Sequence, residues 1–303
     1  MKLIFFILNF FLVTHLFSEE YVSARLWGQL GNQLFIVSNA LAHAWDHGAI
    51  PIFPCLESET IRNIPLNRQK IFFRLESKVP SHIRFREQHY TSIHYTPLDY
   101  TPNSVLVGYS LSLDYFHRYE KRLQEVFAPS AEMELFLDEK YGAYLQHPCL
   151  VGIQIRVCAL DIYPFCGWEY FEKAMQYFPP EAIFLVSSDR IDWVKSNFPI
   201  QGREVIFIEG NDHLEDFFLL TKCKHNIISN STFGFWAAYL NRNPEKIVIA
   251  PSLWHAAHHE LTRIGFPSKQ NIYPKDWTVL DVPLYRVVPI DILRYKTTSV
   301  EGG

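Results

Sequence analysis

Hydrophobic and polar positions change period repeatedly in the second half of the chain. Short apolar runs at Leu150 to Arg156, Ile183 to Ser187, Val205 to Glu209, Asn226 to Ser229 and Ile247 to Ala250 have strand length. Between them, helical spacing runs over Trp168 to Tyr177, Ile191 to Asn197, Leu214 to Lys222 and Phe233 to Leu240. Strands alternating with helices of this length predict βαβ units and a parallel sheet. The first half is less regular. A strand is predicted at Tyr21 to Trp27, a glycine loop at Gly28 to Asn32, a helix at Gln33 to His47 and a second strand at Ile50 to Phe53. That is again a βα unit. Residues 57–104 give no clear period, and Gly108 to Phe127 reads as helical after its first residues. A boundary near His147-Pro148 divides an N-terminal α/β lobe, residues 21–147, from a Rossmann-like lobe, residues 148–303.

In parallel α/β sheets ligands bind at the carboxyl ends of the strands. Three polar groups are expected there. Arg156 ends the first strand of the second lobe, where it would either grip phosphate oxygens or pair with Asp161 or Asp189. Ser187, Ser188 and Asp189 end the next strand, and the carboxylate suits either ribose hydroxyls or the N-cap of the following helix. Asn230, Ser231 and Thr232 precede an aromatic helix, and serve either as caps or as a seat for a diphosphate on free helix N–H groups. In the first lobe Gly28 to Gln33 is either a plain tight turn or a loop that lets backbone approach phosphate, with the Asn32 and Gln33 amides beside it. Asn230-Ser231-Thr232 is also a glycosylation sequon, read as incidental. His225 is a strand-entry residue or a base. His255, His258 and His259 read as a polar helix face rather than a metal site.

Composition narrows the partners. The chain has 303 residues, 48% hydrophobic and 16% aromatic, enough for two lobes with a large core. A net charge of −4 argues against nucleic acid. Five cysteines without CxxC or zinc spacing argue against a structural metal, and Cys149, Cys158 and Cys223 read as small buried residues. Lys2 to Ser18 has one lysine ahead of an apolar run and resembles a secretory leader, cleaved after Ser18 or kept as a short membrane anchor. Either fate exports the globular part to a secretory or envelope compartment.

Three stretches together resemble glycosyltransferase family 11, the galactoside α-1,2-fucosyltransferase family. RLWGQLGNQLFIVSNALAHA is similar to the family's GxLGNQ(M/L)F opening. VGIQIR is similar to its His-x-Arg-Arg-x-Asp strand. LLTKCKHNIISNSTFGFWAAYLN is similar to its CKHxIxxNSxFxWWxAxLN block. GYSLSLDYF adds a weaker match, and the resemblance spans residues 24–254. It implies a GT-B-like α/β fold, with two Rossmann-type lobes of mainly parallel strands and a cleft between them. It also implies inverting transfer of fucose from GDP-fucose to a galactose 2-hydroxyl, without metal. The acceptor would lie on the first lobe and the donor on the second. Arg156 would be the catalytic cation. Gly31, Asn32, Gln33, Gln154, Ser188, Asp189, Asn230, Ser231, Thr232 and Phe233 would bind the donor. The chain departs from the pattern at Gln154, Val157 and Ala159, where the family has His, Arg and Asp, and Gly234-Phe235 replaces Ser-Trp. These changes leave two alternatives open: another GDP-sugar or acceptor, or a non-catalytic binder.

Overall fold

The computed structural model describes residues 19–91, 95–157, 165–255 and 272–282. The leader, Cys158, Ala159, Asp161, His258 and His259 lie outside the described residues. Among the described residues no helix is long and apolar enough to cross a membrane.

Two parallel sheets fall on either side of His147-Pro148. The first contains β1 (Tyr21–Ala24), β2 (Ile50–Pro51), β3 (Arg86–Thr91) and β4 (Ser104–Tyr109), in the order β2-β1-β4-β3. Helix α1 (Leu30–Asp46) crosses from β1 to β2, and α2 (Cys55–Ser58) and α3 (Ile64–Lys70) follow. After β4 come two short 3₁₀ turns, then α4 (Glu120–Val126) and α5 (Ala131–Leu145). The second sheet runs β5 (Leu150–Ile155), β6 (Ile183–Ser188), β7 (Glu204–Phe207), β8 (His225–Ile228), β9 (Val248–Pro251) and β10 (Thr278–Leu280). Helices α6 (Trp168–Met175), α7 (Ile191–Asn197), α8 (His213–Lys222) and α9 (Thr232–Leu240) connect the first five of these strands. Their order, β10-β9-β8-β5-β6-β7, is that of a Rossmann lobe, 6-5-4-1-2-3 when counted from β5. The architecture is therefore α/β and GT-B-like.

The first half departs from its expected elements. The stretch after Gly108 turns helical after its first residues, through 3₁₀ turns at Leu113–Tyr115 and His117–Tyr119 and then α4, but Gly108 and Tyr109 themselves close strand β4. Strand wins there because β4 is the inner strand between β1 and β3, with its backbone paired on both sides. Helix α1 starts at Leu30, three residues earlier than its spacing suggests: Gln29 is its extended N-cap, and the Gln29 carbonyl accepts the first helical bond from the Gln33 N–H at 3.0 Å.

One apolar core joins the two lobes. In α9 every residue from Gly234 to Leu240 is buried, which accounts for a helix without a polar face. Phe35 of α1 stacks on Phe235 of α9 at 4.9 Å and meets Trp236 edge-on at 5.1 Å. A polar tie runs alongside: Lys70 pairs with Asp212 and Glu215, the capping box that starts α8. Cys55, Cys149, Cys166 and Cys223 are unpaired thiols, and burial pushes Cys223 up to about 12, as expected of a small core residue.

His43 sits buried on α1, and its Nε2 has no hydrogen-bond partner among the described residues. Burial, reinforced by nearby His47, holds the imidazole neutral down to about 4, well below its ordinary 6.5. The unfolded chain therefore binds the extra proton between pH 6.5 and about 4, so stability falls with pH through that window. The loss is expected to reach about 3 kcal/mol at its acid end. Chemical denaturation of His43→Leu at several pH values should show a shallower slope than the wild type. An unchanged slope would remove His43 as the cause.

Candidate functional site

The strand order reverses between β5 and β8, the topological switch point where α/β sheets bind ligands. Serine 229, just past β8, stitches the two strand ends together. Its hydroxyl donates to the Gln154 carbonyl at 2.9 Å and accepts from the Arg156 N–H at 2.9 Å. Arg156 is thereby set at the crevice rim with its side chain 41% exposed. The guanidinium meets Asp189 at 3.1 Å, and the other carboxylate oxygen of Asp189 accepts from the Val157 N–H at 2.9 Å. Asp189 is thus not the cap of α7; Arg190 holds that position, with no side-chain cap. The Ser188 hydroxyl accepts from the Arg190 N–H at 3.1 Å. Ser187 donates to Asp216 at 2.6 Å, and burial raises that carboxyl above its usual range. An arginine with one carboxylate partner still has N–H donors for a second anion.

Across the switch point α9 begins. Ser231 is its N-cap in extended conformation, yet no side chain caps the first turn. The first-turn N–H groups and the helix dipole are positioned to meet an anion. Phe233 packs edge-on against Phe217 at 5.3 Å, which holds the helix start. Thr232 donates to Asn32 Oδ1 at 2.9 Å, and Tyr109 donates to the same oxygen at 3.0 Å. Gly31 lies so close that an added Cβ would sit 2.5 Å from the Phe233 nitrogen. The first lobe is therefore docked on the start of α9.

Three expected donor contacts are corrected. Gln33 is fully buried: Nε2 donates to the carbonyls of Gly28 (2.9 Å) and Arg62 (3.0 Å), while Oε1 accepts from Asn67 at 2.8 Å. Asn67 in turn accepts from His213 of α8 at 2.8 Å. The Gln33 amide is a strut, with no face left for a ligand. Asn230 is buried too, donating to the Trp254 carbonyl at 2.9 Å, so it neither contacts a donor nor accepts a glycan in the folded chain. Gln154 is buried beneath Gly234, and its Oε1 has no hydrogen-bond partner among the described residues. It supports α9 from below. His225 lies at the opposite end of β8, where its Nδ1 accepts from the Ile247 N–H at 3.0 Å, too far from the crevice to act as a base there. His255 is buried. Tyr109, Asn67 and Ser229 were not legible as site residues, because nothing in their spacing marks them.

A cavity of about 340 Å³ opens at the far end of the second lobe, near Gln124, Lys222, Lys224 and Arg242. The C-termini of α4, α8 and α9 converge there, and its cations offset their carbonyls: Arg242 donates to the Gln124 carbonyl. Lys222 at this cavity is already paired with Glu134 and Asp138.

The model of glycosyl transferase family 11 matches residues 13–281. The chain belongs to glycosyltransferase family 11. Among its relatives, the Escherichia coli alpha-1,2-colitosyltransferase is 30% identical over 162 residues, 49% of this chain and 55% of that one. The Escherichia coli O-antigen biosynthesis glycosyltransferase WbnK is 36% identical over 99 residues, 30% of this chain and 32% of that one. The match thus spans about half and about a third of these two relatives. The rabbit (Oryctolagus cuniculus) galactoside alpha-(1,2)-fucosyltransferase 2 is 26% identical over 251 residues, 75% of this chain and 68% of that one. Among solved structures, fucosyltransferase NodZ from Bradyrhizobium superposes with a TM-score of 0.46 at 15% identity, covering 73% of this chain and 92% of that one. Arabidopsis thaliana FUT1 in complex with GDP gives 0.47 at 14%, covering 77% and 70%. At the switch point of this family member, Arg156 follows β5 and the Gly31–Asn32 corner of the first lobe covers the start of α9.

Proposed function

We propose that this glycosyltransferase moves fucose from GDP-fucose to the 2-hydroxyl of a galactose-terminated glycan, inverting the anomeric centre. The observation that carries the reading is the pairing at the switch point: a partly exposed guanidinium just past β5 and a helix start after β8 without a side-chain cap, joined through Ser229. As the bond from sugar to phosphate breaks, negative charge grows on the departing diphosphate. Donors held in place before that moment lower the barrier without reorganising. Arg156 supplies the permanent charge and a forked set of N–H donors. The α9 N–H groups supply the dipole end, and Gly31 lets the first lobe close on the same corner. Asp189 holds the guanidinium in place at the strand end. No step is assigned to a metal ion.

A second donor stays in view for a specific reason: one relative is a colitosyltransferase. Calorimetric titration with GDP, then GDP-fucose and other nucleotide sugars, separates the two. GDP is expected to bind and to raise the unfolding midpoint, by the equivalent of about 2.7 kcal/mol at a hundredfold excess over Kd. Absence of heat and of thermal shift at millimolar GDP would remove the nucleotide-sugar reading.

A further inference from the structure

Trp27 stands 38% exposed on the loop between β1 and α1, at the carboxyl edge of the first sheet. Its indole is fixed, not loose. Tyr109 meets it edge-on at 4.7 Å, the Tyr109 hydroxyl donates to Asn32, and Asn32 accepts from Thr232 at the start of α9. Three contacts thus connect an exposed aromatic face to the corner assigned to the diphosphate. A lone surface aromatic is ordinary, but the neighbouring chain is not. Arg62 and Asn63 are consecutive non-glycine residues in the left-handed region, at φ 57° and 59°. Such strain persists where the surroundings enforce it, and here the buried Gln33 amide holds the carbonyls of Arg62 and Gly28 together. Asn63 is the N-cap of α3, yet its side chain makes no cap bond; its amide donates to Gln29 at 3.4 Å instead. An exposed indole beside a pair of exposed amides has the makings of a sugar subsite. One face of a pyranose is C–H and packs on an aromatic face, while its rim of hydroxyls suits amide groups.

We propose that Trp27 is the platform for the acceptor glycan, with Gln29 and Asn63 binding the hydroxyls of the stacked pyranose. The proposal rests on the glycosyl-transfer reading in taking a glycan as acceptor. The probe is a panel of neutral disaccharides led by lactose, titrated by saturation-transfer NMR and calorimetry into wild type, Trp27→Ala, Trp27→Phe and Asn63→Ala. Trp27→Ala is expected to weaken disaccharide binding about tenfold or more, the scale of one aromatic contact. Trp27→Phe should retain most of the affinity, and Asn63→Ala should lose several-fold. GDP affinity should stay within about twofold throughout, which also reports a folded nucleotide lobe. Equal disaccharide binding by Trp27→Ala and wild type overturns the platform. So does binding by Trp27→Phe as weak as by the alanine variant. If wild type binds GDP but no disaccharide, the platform falls and the nucleotide reading stands. If disaccharides bind in a Trp27-dependent way and GDP does not, the reverse holds.

Discussion

Arg156→Ala is expected to lower turnover by roughly 10²–10³-fold, the effect of removing one preorganised donor from a developing oxyanion. Stability should hardly move. The Arg156–Asp189 pair has its cation 41% exposed, and such pairs contribute about 1 kcal/mol or less. Asp189 also keeps its bond from the Val157 N–H, so the carboxylate is not orphaned. Loss of rate without loss of fold separates this residue from a structural one. Arg156→Lys should fall between the two, since lysine keeps the charge but not the planar fork. Release of GDP from GDP-fucose with a lactose-type acceptor gives the rates, and thermal unfolding gives the stability. Unchanged turnover in the alanine variant would take Arg156 out of the mechanism. A large drop in unfolding midpoint would make the rate loss uninterpretable as chemistry and return the residue to the fold.

The strands of the second lobe were readable because parallel strands buried on both faces show as continuous apolar runs. All six residues of β5 are buried. In the first lobe β1 and β2 were readable too, but β3 and β4 were hidden for the opposite reason. The edge strand β3, Arg86–Thr91, reads REQHYT, with charge and amide where an inner strand would carry valine. β4 takes its place in the sheet from pairing with β1 and β3, which its own sequence does not announce. The site divides along the same line. Arg156 and Thr232 could be placed because a strand end or helix start is a local property. Gln33 and Asn230 could not, because what covers a helix start is decided by chain far away in sequence. Gln33 is enclosed by Asn67 and the Arg62 carbonyl, and Asn230 is held by Trp254. Asp189 shows the limit most clearly. Its sequence position fits a cap for α7, yet the N–H it accepts from belongs to Val157, on the extension of a neighbouring strand.

Gly31→Ala is expected to destabilise the protein by about 2–3 kcal/mol and to weaken GDP binding with it. The new methyl would lie 2.5 Å from the Phe233 nitrogen, the Thr232 carbonyl carbon and the Thr232 hydroxyl. Two of those atoms are backbone, so no rotamer change relieves the clash. Either α1 withdraws from α9 or the first turn of α9 shifts. Withdrawal stretches the Thr232–Asn32 bond and opens the stack of Phe35 on Phe235 that joins the lobes. A shift in α9 moves the N–H groups proposed to seat the diphosphate. Both routes couple stability to ligand affinity, which separates this substitution from Arg156→Ala, where rate falls alone. Denaturant unfolding and GDP titration of the same variant test the coupling. Gly142 in α5, with nothing within 4 Å of its would-be Cβ, is the control for a glycine-to-alanine change that meets no neighbour. Wild-type stability in Gly31→Ala would mean that α1 and α9 are not in contact at this point. Loss of stability with intact GDP affinity would mean that the nucleotide is seated away from the start of α9.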